Sequence, residues 1–301
     1  MLTFFTTAKP FHGHNGITQR NALKSWALLD PSVEIILVGD DEGGAEVANE
    51  LGIRHEPQVE RNEFGTIRID YMFARAQAMA RHNIVCYLNC DIILLPDFTE
   101  AIRRVRSEYS EFLAIGRRWD LDITEKIDFS DSRWQEKITE MRVTHARQQT
   151  DWYIDYFVFS RGLFGQEIPP FAVGRAGWDN WMVWKARQTG KPVVDISRAV
   201  SAVHQNHDYR HHPQGRKGVY TGEDAERNLQ LAGGASHLLC IGDATLRLGR
   251  QRLRRNPKFY WHFVLYRVWN PVWFAVLGLT RPLRSALGLR TRTARNSREK
   301  T

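Results

Sequence analysis

The sequence has 301 residues, of which 43% are hydrophobic and 25% are charged, a composition typical of folded globular proteins. A chain of this length buries a core large enough to fold without disulfides or structural metal. The three cysteines show no metal-ligand spacing, which excludes a disulfide scaffold and a zinc finger as the organising principle. Few cysteines and a first segment without a signal-peptide pattern favour a cytoplasmic location.

The net charge of +8 is concentrated at the C-terminus. Residues 245–301 contain 14 Lys and Arg and one Glu, whereas residues 1–244 contain 28 basic and 33 acidic residues. The body is therefore mildly acidic, and nucleic acid is not its expected partner. The tail combines Arg with Trp, and its longest charge-free stretch, 268–280, is too short to span a bilayer of roughly 30 Å. We expect a basic amphipathic tail that lies on the inner face of the cell membrane.

The first hundred residues alternate between predicted strands and helices. Apolar runs predict strands at 2–7, 33–39, 84–88 and 92–95, and helical spacing predicts helices at 18–29, 42–51 and 68–81. This alternation is typical of α/β proteins with a doubly wound, mostly parallel sheet flanked by helices. Ligands of such sheets bind beyond the carboxyl ends of the strands.

The middle of the chain is mixed. The predicted elements after residue 98 are a helix at 99–108, a strand at 112–116, a polar segment at 120–150, an apolar run at 152–159, a helix ending at 188 and a strand at 192–196. We divide the chain into a ligand-binding half at 1–110, a second half of the same domain at 111–244, and the tail at 245–301.

Carboxylates follow two of the predicted strands. Asp40 and Asp41 end the second strand, and Asp91 follows the strand 84–88, so topology places all three at the ligand edge. Carboxylate oxygens together with substrate phosphates are the ligands that Mg²⁺ and Mn²⁺ prefer. The alternative is structural, because Asp also caps helices and forms turns.

A second group of candidates lies late in the chain. Asp179 stands between Trp178 and Trp181, where an apolar environment would raise its pKa and suit it to act as a general base. The alternative is an N-cap Asp with both Trp side chains in the core. The candidate clamps for a diphosphate are Arg68, Arg75, Arg117, Arg118 and Arg175, of which Arg175 is favoured by its neighbours. Four of the 11 histidines, His204 and His207 among them, fall within nine residues and are either metal ligands or exposed loop residues.

Several motifs in order resemble the GT-A fold glycosyltransferases of the family-2-like type. These are the Thr6-Thr7 end of the first strand, LVGDD at 37–41, ARAQAMA at 74–80, YLNCDIILLPDF at 87–98, GWDNW at 177–181 and HQNHDY at 204–209. The resemblance covers about residues 1–215. It implies the transfer of a sugar from a nucleoside diphosphate donor to a hydroxyl acceptor, inverting and metal-assisted, in the synthesis of a cell-surface polysaccharide or glycolipid.

The resemblance also implies roles on the donor side. Thr6, Asp40, Asp41 and Arg68 would contact the donor, and Asp91 would bind the donor and a Mn²⁺ or Mg²⁺ ion. Asn89 stands where the family's Asp-x-Asp segment has its first Asp. One carboxylate is thereby lost, although a neutral amide oxygen still has lone pairs for a cation.

On the acceptor side, the resemblance implies that Asp179 deprotonates the acceptor hydroxyl. Arg175, Trp178 and Trp181 would bind a saccharide or lipid-linked acceptor. His204 or His207 would complete the metal site with Asp91.

Two other functions are open at this level. One is a sugar-phosphate nucleotidyltransferase, although the loop after the first predicted strand, 8–14, has only one Gly and one Lys where such enzymes carry a Gly-rich basic loop. The other is a non-catalytic protein that binds carbohydrate or nucleic acid through its tail. Release of a nucleoside diphosphate rather than pyrophosphate separates the first from a glycosyltransferase, and a steep salt dependence of binding identifies the second.

Overall fold

A computed structural model of the chain describes residues 2–206, 222–249 and 252–262. Residues 1–256 form one compact unit, and residues 257–301 form a second. Of the predicted features, His207 and most of the basic tail lie outside the described residues.

The first unit is built on a large mixed sheet. Its nine strands within the described residues are β1 (Thr3–Thr6), β2 (Glu34–Val38), β3 (Arg54–Glu56), β4 (Ile84–Leu88), β6 (Leu113–Ile115), β9 (Tyr156–Ser160), β10 (Val193–Asp195), β12 (Leu246–Leu248) and β13 (Leu253–Arg255). Their order is β13-β12-β10-β6-β9-β4-β1-β2-β3. Only β9 and β13 run antiparallel to their neighbours. The predicted α/β fold with a mostly parallel sheet is confirmed.

Helices cover both faces of this sheet. Packed on it are α1 (Gly13–Ala27), α2 (Gly44–Leu51), α3 (Ile69–Met79), α4 (Asp97–Glu108) and α6 (Trp178–Gln188). The unit also contains α5 (Trp134–His145), which packs on a smaller sheet, and α7 (Glu223–Leu231). A short helix, α8 (Pro257–His262), begins the second unit. Among the helices that the structure describes, none is long and apolar enough to cross a membrane.

The core is divided between the two faces because successive strand side chains point to opposite sides. On β1, Phe5 packs edge-to-face against Phe73 of α3, while its neighbour Phe4 contacts Trp26 of α1 on the other face. All four rings are fully buried. Two hydrophobic clusters therefore fix the central strands from both sides, and the ends of those strands become a rigid platform.

A smaller sheet stands beside this platform. Its four strands in the described part of the chain are β5 (Ile92–Ile93), β7 (Trp119–Leu121), β8 (Arg147–Gln148) and β11 (Val203–Gln205), in the order β5-β11-β7-β8. In the central strand β11, His204 is paired in register with Ile92 on one side and Asp120 on the other. This small sheet thus brings a late histidine to the residues that follow β4.

Three features of the fold differ from the expectations. The apolar run 152–159 contains an antiparallel strand, and the polar segment 120–150 holds the helix α5. Residues 246–255, which charge alone assigned to the tail, instead supply the strands β12 and β13 at the edge of the large sheet. Their basic side chains alternate with Leu246, Leu248 and Leu253, which pack against the core, so the net charge of the segment concealed a strand pattern.

Candidate active site

The end of β4 lies beside the start of β9. The two strands are antiparallel, and Leu88 is paired with Tyr156. The residue after one strand therefore faces the residue before the other, and the Asn89 backbone N–H donates to the Asp155 carbonyl at 2.9 Å. An antiparallel strand begins where parallel strands end, so Asp155 stands at the ligand edge of the sheet.

Both ends of the Asn89 amide are engaged within the protein. Its Nδ2 donates to Asp155 Oδ1 at 2.7 Å, and its Oδ1 accepts from the Tyr87 hydroxyl at 3.0 Å. The position that departs from the Asp-x-Asp pattern therefore serves as a bridge between two side chains. A carboxylate here would face the carboxylate of Asp155.

Arg118 follows β6 and joins two carboxylates. Its Nη1 donates to Asp155 Oδ1 at 2.6 Å and its Nε donates to Asp120 Oδ1 at 2.8 Å. The guanidinium lies 5.3 Å from the centre of the Tyr153 ring and is 12% exposed. Its three carboxylate neighbours, Asp155, Asp120 and Asp91, oppose the effect of burial, so the pKa of Arg118 lies above its ordinary value.

His204 lies between two carboxylates. Its Nδ1 is 3.2 Å from Asp120 Oδ1, and its Nε2 is 3.6 Å from Asp91 Oδ2. Burial alone would lower the pKa of His204, but the charges of Asp91 and Asp120 raise it to about 9. In turn, burial would raise the pKa of Asp120, but His204, Arg118 and Gln149 lower it to about 2.

These contacts link five side chains into one carboxylate–cation cluster. Its members are Asp91, His204, Asp120, Arg118 and Asp155, in which negative and positive groups alternate. Each has a side chain no more than 16% exposed. The alternation compensates charges that would be costly to bury singly.

The cluster offers two donors to a divalent cation. Asp91 supplies a carboxylate, and His204 presents Nε2 beside it while Nδ1 faces Asp120, the arrangement by which a carboxylate orients a ligating imidazole. In the described part of the chain, no group of three or more His, Cys, Asp or Glu side chains is arranged to hold a metal. Asp91 and His204 therefore fit an ion whose remaining ligands come from a substrate or from water.

Asp179 occupies a different environment at the same edge. It is in the first turn of α6, after Gly177, whose φ of +100° is in the region that favours glycine. Its Oδ1 is buried and has no hydrogen-bond partner. Burial, with a further contribution from the charge of Asp155, raises the pKa of Asp179 to about 7. A carboxyl group with such a pKa exchanges protons readily near neutral pH.

The aromatic neighbours of Asp179 belong to the core. Trp178 is 5% exposed and packs edge-to-face on Tyr87, with ring centres 5.2 Å apart. Trp181 is also 5% exposed and packs on Phe171 at 5.3 Å. The expectation that these two rings bind an acceptor is corrected here, because buried ring faces are not available for stacking on a sugar.

Two of the arginine candidates, Arg68 and Arg175, are held in ion pairs away from the cluster. Arg68 bonds to Glu60 at 2.7 Å and to Asp70 at 2.5 Å. It lines a surface groove of about 550 Å³ that contains no member of the carboxylate–cation cluster. Arg175 lies 3.4 Å from Asp224, and its Nε is buried. Neither residue is joined to the cluster by a contact in the described structure.

Two adjacent carboxylates at the end of β2 differ in exposure and in the direction of their pKa shift. Asp40 is exposed and bonded to Arg61, which lowers its pKa. Asp41 is partly buried, and burial raises its pKa. Gly39 lies between this strand end and β1, and a Cβ there would stand 3.2 Å from both Asp41 Oδ2 and Thr7 Oγ1. Thr6 is fully buried, and its hydroxyl bonds to the Thr7 carbonyl.

Sequence reasoning missed Asp120 and Asp155 and assigned Arg118 no more than a general clamping role. The signal for Asp155 was its place before an apolar run, but only an antiparallel direction brings that residue to the ligand edge. Asp120 lies in a segment whose polarity conceals the short strand β7. The predicted meeting of Asp91 with His204 is observed, whereas His207 lies outside the described residues.

No family model matches the chain, and no curated protein matches it. Several solved structures are similar to it. S. aureus TarS 1-349 is 10% identical, with 68% of this chain and 60% of that chain covered and a TM-score of 0.45. Glucosyl-3-phosphoglycerate synthase from M. tuberculosis is 13% identical, with 78% and 81% covered and a TM-score of 0.47. The mannosyltransferase PcManGT from Pyrobaculum calidifontis, in complex with GDP-Man and Mn²⁺, is 11% identical, with 67% and 56% covered and a TM-score of 0.42.

Proposed function

We propose that the protein is a glycosyltransferase that moves a sugar from a nucleoside diphosphate donor to a hydroxyl acceptor, with a divalent metal and with inversion. One observation carries this proposal: Asp91 and His204 meet at 3.6 Å, with Asp120 behind the imidazole, at the same sheet edge as Asp179. The motif resemblance of residues 1–215 to GT-A fold glycosyltransferases supports it.

Asp91 and His204 would hold Mn²⁺ or Mg²⁺. The bound ion supplies Lewis-acid stabilisation of the negative charge that develops on the departing diphosphate. Asp120 fixes the ring of His204 so that Nε2 faces Asp91, and Arg118 fixes Asp120. The cluster holds three carboxylates against one guanidinium and one imidazole, so it favours a cation over a bare diphosphate.

Asp179 would act as the general base. The acceptor hydroxyl gives its proton to Asp179 as its oxygen bonds to the anomeric carbon and the bond from that carbon to the diphosphate oxygen breaks. The nucleoside diphosphate leaves with the electron pair, and Asp179 later releases the proton to water. A carboxyl group with a pKa of about 7 can take up and release a proton near neutral pH.

The nucleoside would lie at the ends of β1 and β2. Asp41 is the stronger candidate of the two adjacent carboxylates, because Asp40 is already bonded to Arg61. Thr6 would contribute through its backbone, since its side chain is buried. Arg68 and Arg175 would reach a substrate only by exchanging their present carboxylate partners.

Donor hydrolysis tests the reaction class. The protein is incubated with UDP-, GDP- and dTDP-sugars in Mn²⁺, Mg²⁺ or EDTA, and the released nucleotide is measured. We expect metal-dependent release of a nucleoside diphosphate from one donor, lost in Asp91→Ala. Release of pyrophosphate from a nucleoside triphosphate and a sugar phosphate would instead establish a nucleotidyltransferase. If no nucleotide binds in calorimetry, the proposal is rejected in favour of a binding protein.

The basic tail would hold the enzyme at an anionic membrane surface, close to a lipid-linked or polysaccharide acceptor. Residues 263–301 alone contain eight Lys and Arg and one Glu, and each cation near such a surface contributes about 1 kcal/mol of binding. Removing residues 263–301 leaves β12 and β13 intact. It should release the protein from phosphatidylserine vesicles, and unchanged binding would disprove the membrane role.

A further inference from the structure

Asp155 has one engaged and one unengaged carboxylate oxygen. Its Oδ1 accepts from Asn89 at 2.7 Å and from Arg118 at 2.6 Å. Its Oδ2 is buried and has no hydrogen-bond partner. The residue is 6% exposed. A buried carboxylate oxygen without a partner costs free energy, so its retention at a ligand edge calls for a hydrogen-bond donor from a ligand.

The neighbours of Asp155 place it between the proposed metal ligands and the proposed base. On one side it shares Arg118 with Asp120, which leads to His204 and Asp91. On the other side, the Asn89 side chain that donates to Asp155 accepts from the Tyr87 hydroxyl, and the Tyr87 ring packs on Trp178, the residue before Asp179. Asp155 therefore lies between the end that would bind the metal and diphosphate and the base that would face the acceptor.

The chemistry of Asp155 favours a hydroxyl over a cation as its partner. Two N–H donors from the protein occupy Oδ1, which leaves a single oxygen with a fixed direction. A hydroxyl needs only one such acceptor, and a hydrogen bond to a charged oxygen is stronger than one to a neutral oxygen.

In a glycosyltransferase, the group between the diphosphate and the acceptor is the sugar being transferred. We propose that Asp155 is a donor-sugar-binding residue whose Oδ2 accepts a hydrogen bond from a hydroxyl of that sugar. Asn89 and Arg118 act through it as positioning residues, because they hold Oδ1 and thereby aim Oδ2. This inference rests on the proposed function and assigns its sugar-binding site.

Calorimetry in Mn²⁺ tests the inference through a ratio of dissociation constants. The ratio is the dissociation constant of each nucleotide divided by that of its sugar conjugate. The pairs are UDP with UDP-glucose, GDP with GDP-mannose and dTDP with dTDP-glucose. Asp155→Asn should weaken the sugar conjugate relative to the nucleotide by about fivefold to tenfold, the difference between a charged and a neutral acceptor. Asp122→Asn is the matched control, since it makes the same exchange of a carboxylate for an amide at an exposed residue outside the carboxylate–cation cluster, and it should leave the ratio within twofold.

An unchanged ratio in folded Asp155→Asn overturns the inference and leaves the proposed function standing. If none of the nucleotides or conjugates binds the wild-type protein, the proposed function fails, and the inference fails with it. Should Asp155→Asn not fold, Asp155→Glu keeps the charge beside Arg118 but displaces the oxygen, and it should reduce the ratio in the same way. Donors that lack one hydroxyl of the sugar sharpen the test. One such monodeoxy analogue should bind the wild-type protein more weakly than the complete donor does, whereas Asp155→Asn should bind the analogue and the complete donor equally well.

Discussion

Asp91 and Asp179 lie at the same edge of the sheet but in opposite electrostatic environments. Asp91 belongs to a cluster in which His204 and Arg118 stand near the carboxylates. Asp179 has an oxygen without a hydrogen-bond partner in the described structure, and the negative charge of Asp155 adds to the effect of burial in raising its pKa. The carboxylates of the first environment lie beside cationic groups, whereas in the second environment burial raises the pKa of Asp179 to about 7.

This contrast corresponds to two roles that Asp side chains have in enzymes, metal binding and proton transfer. A carboxylate that remains ionised can hold a cation throughout a reaction, whereas one with a pKa near neutrality can take up and release a proton. The proposed roles follow this contrast, with Asp91 as the proposed metal ligand and Asp179 as the proposed base. Changing either environment should exchange or abolish these roles.

The largest expected effect follows removal of the base. Asp179→Asn should lower the rate of sugar transfer and of donor hydrolysis by about 10²–10⁴-fold, the usual contribution of a general base. The dissociation constant of the nucleoside diphosphate, measured by calorimetry, should change little. Asp128→Asn is a suitable control, because Asp128 is exposed and bonds only locally to Ser130. Full activity in Asp179→Asn would assign the base to another residue.

The pH dependence of the rate tests the same environment without a mutation at Asp179. The base form is deprotonated, so kcat for donor hydrolysis should fall about tenfold per pH unit below a midpoint near 7. The negative charge of Asp155 disfavours ionisation of Asp179, so Asp155→Asn should move this midpoint to lower pH. If kcat of the wild-type enzyme instead fell only below about pH 4, the base would be a solvated carboxylate, contrary to the burial of Asp179.

The next expected effect is weaker metal binding after a change in the carboxylate–cation cluster. Asp120→Asn removes the carboxylate behind His204, so the ring loses its preferred orientation and Mn²⁺ should bind about 10–100-fold more weakly. Titration calorimetry measures this directly. Asp122→Asn is the matched control two residues further along, because Asp122 is exposed and bonds only to Asn206. Equal Mn²⁺ affinities in the two variants would contradict the role given to Asp120.

Much of the fold follows from local patterns in the sequence. Continuous apolar runs such as IVCYL at 84–88 predict buried strands, and their ends place Asp91 at the ligand edge before any coordinates are known. The cluster does not follow in the same way, because it depends on strand direction and on a second sheet. Asp155 reaches Asn89 only because β9 is antiparallel, and Asp120 reaches His204 only through the pairing of β7 with β11.

The Trp residues beside Asp179 are the opposite case, in which the sequence predicted a binding role for residues that belong to the core. Their spacing around a carboxylate fits both a sugar platform and a core helix, and the sequence does not reveal which face of α6 is covered. The structure covers that face with Phe171 and the rings of the large sheet. Burial of this kind is a long-range property, and it decides whether an aromatic side chain contributes to binding or to stability.

The smallest expected effect on catalysis therefore belongs to Trp181. Trp181→Ala removes a ring that is 5% exposed and packs against Phe171 and Trp184. The free energy of unfolding should fall by about 3–5 kcal/mol, as for other buried aromatic residues, which denaturant titration measures. Activity per folded molecule should change less than about threefold, because the ring contacts no member of the carboxylate–cation cluster. A variant with wild-type stability and lost transfer would instead return Trp181 to the acceptor site.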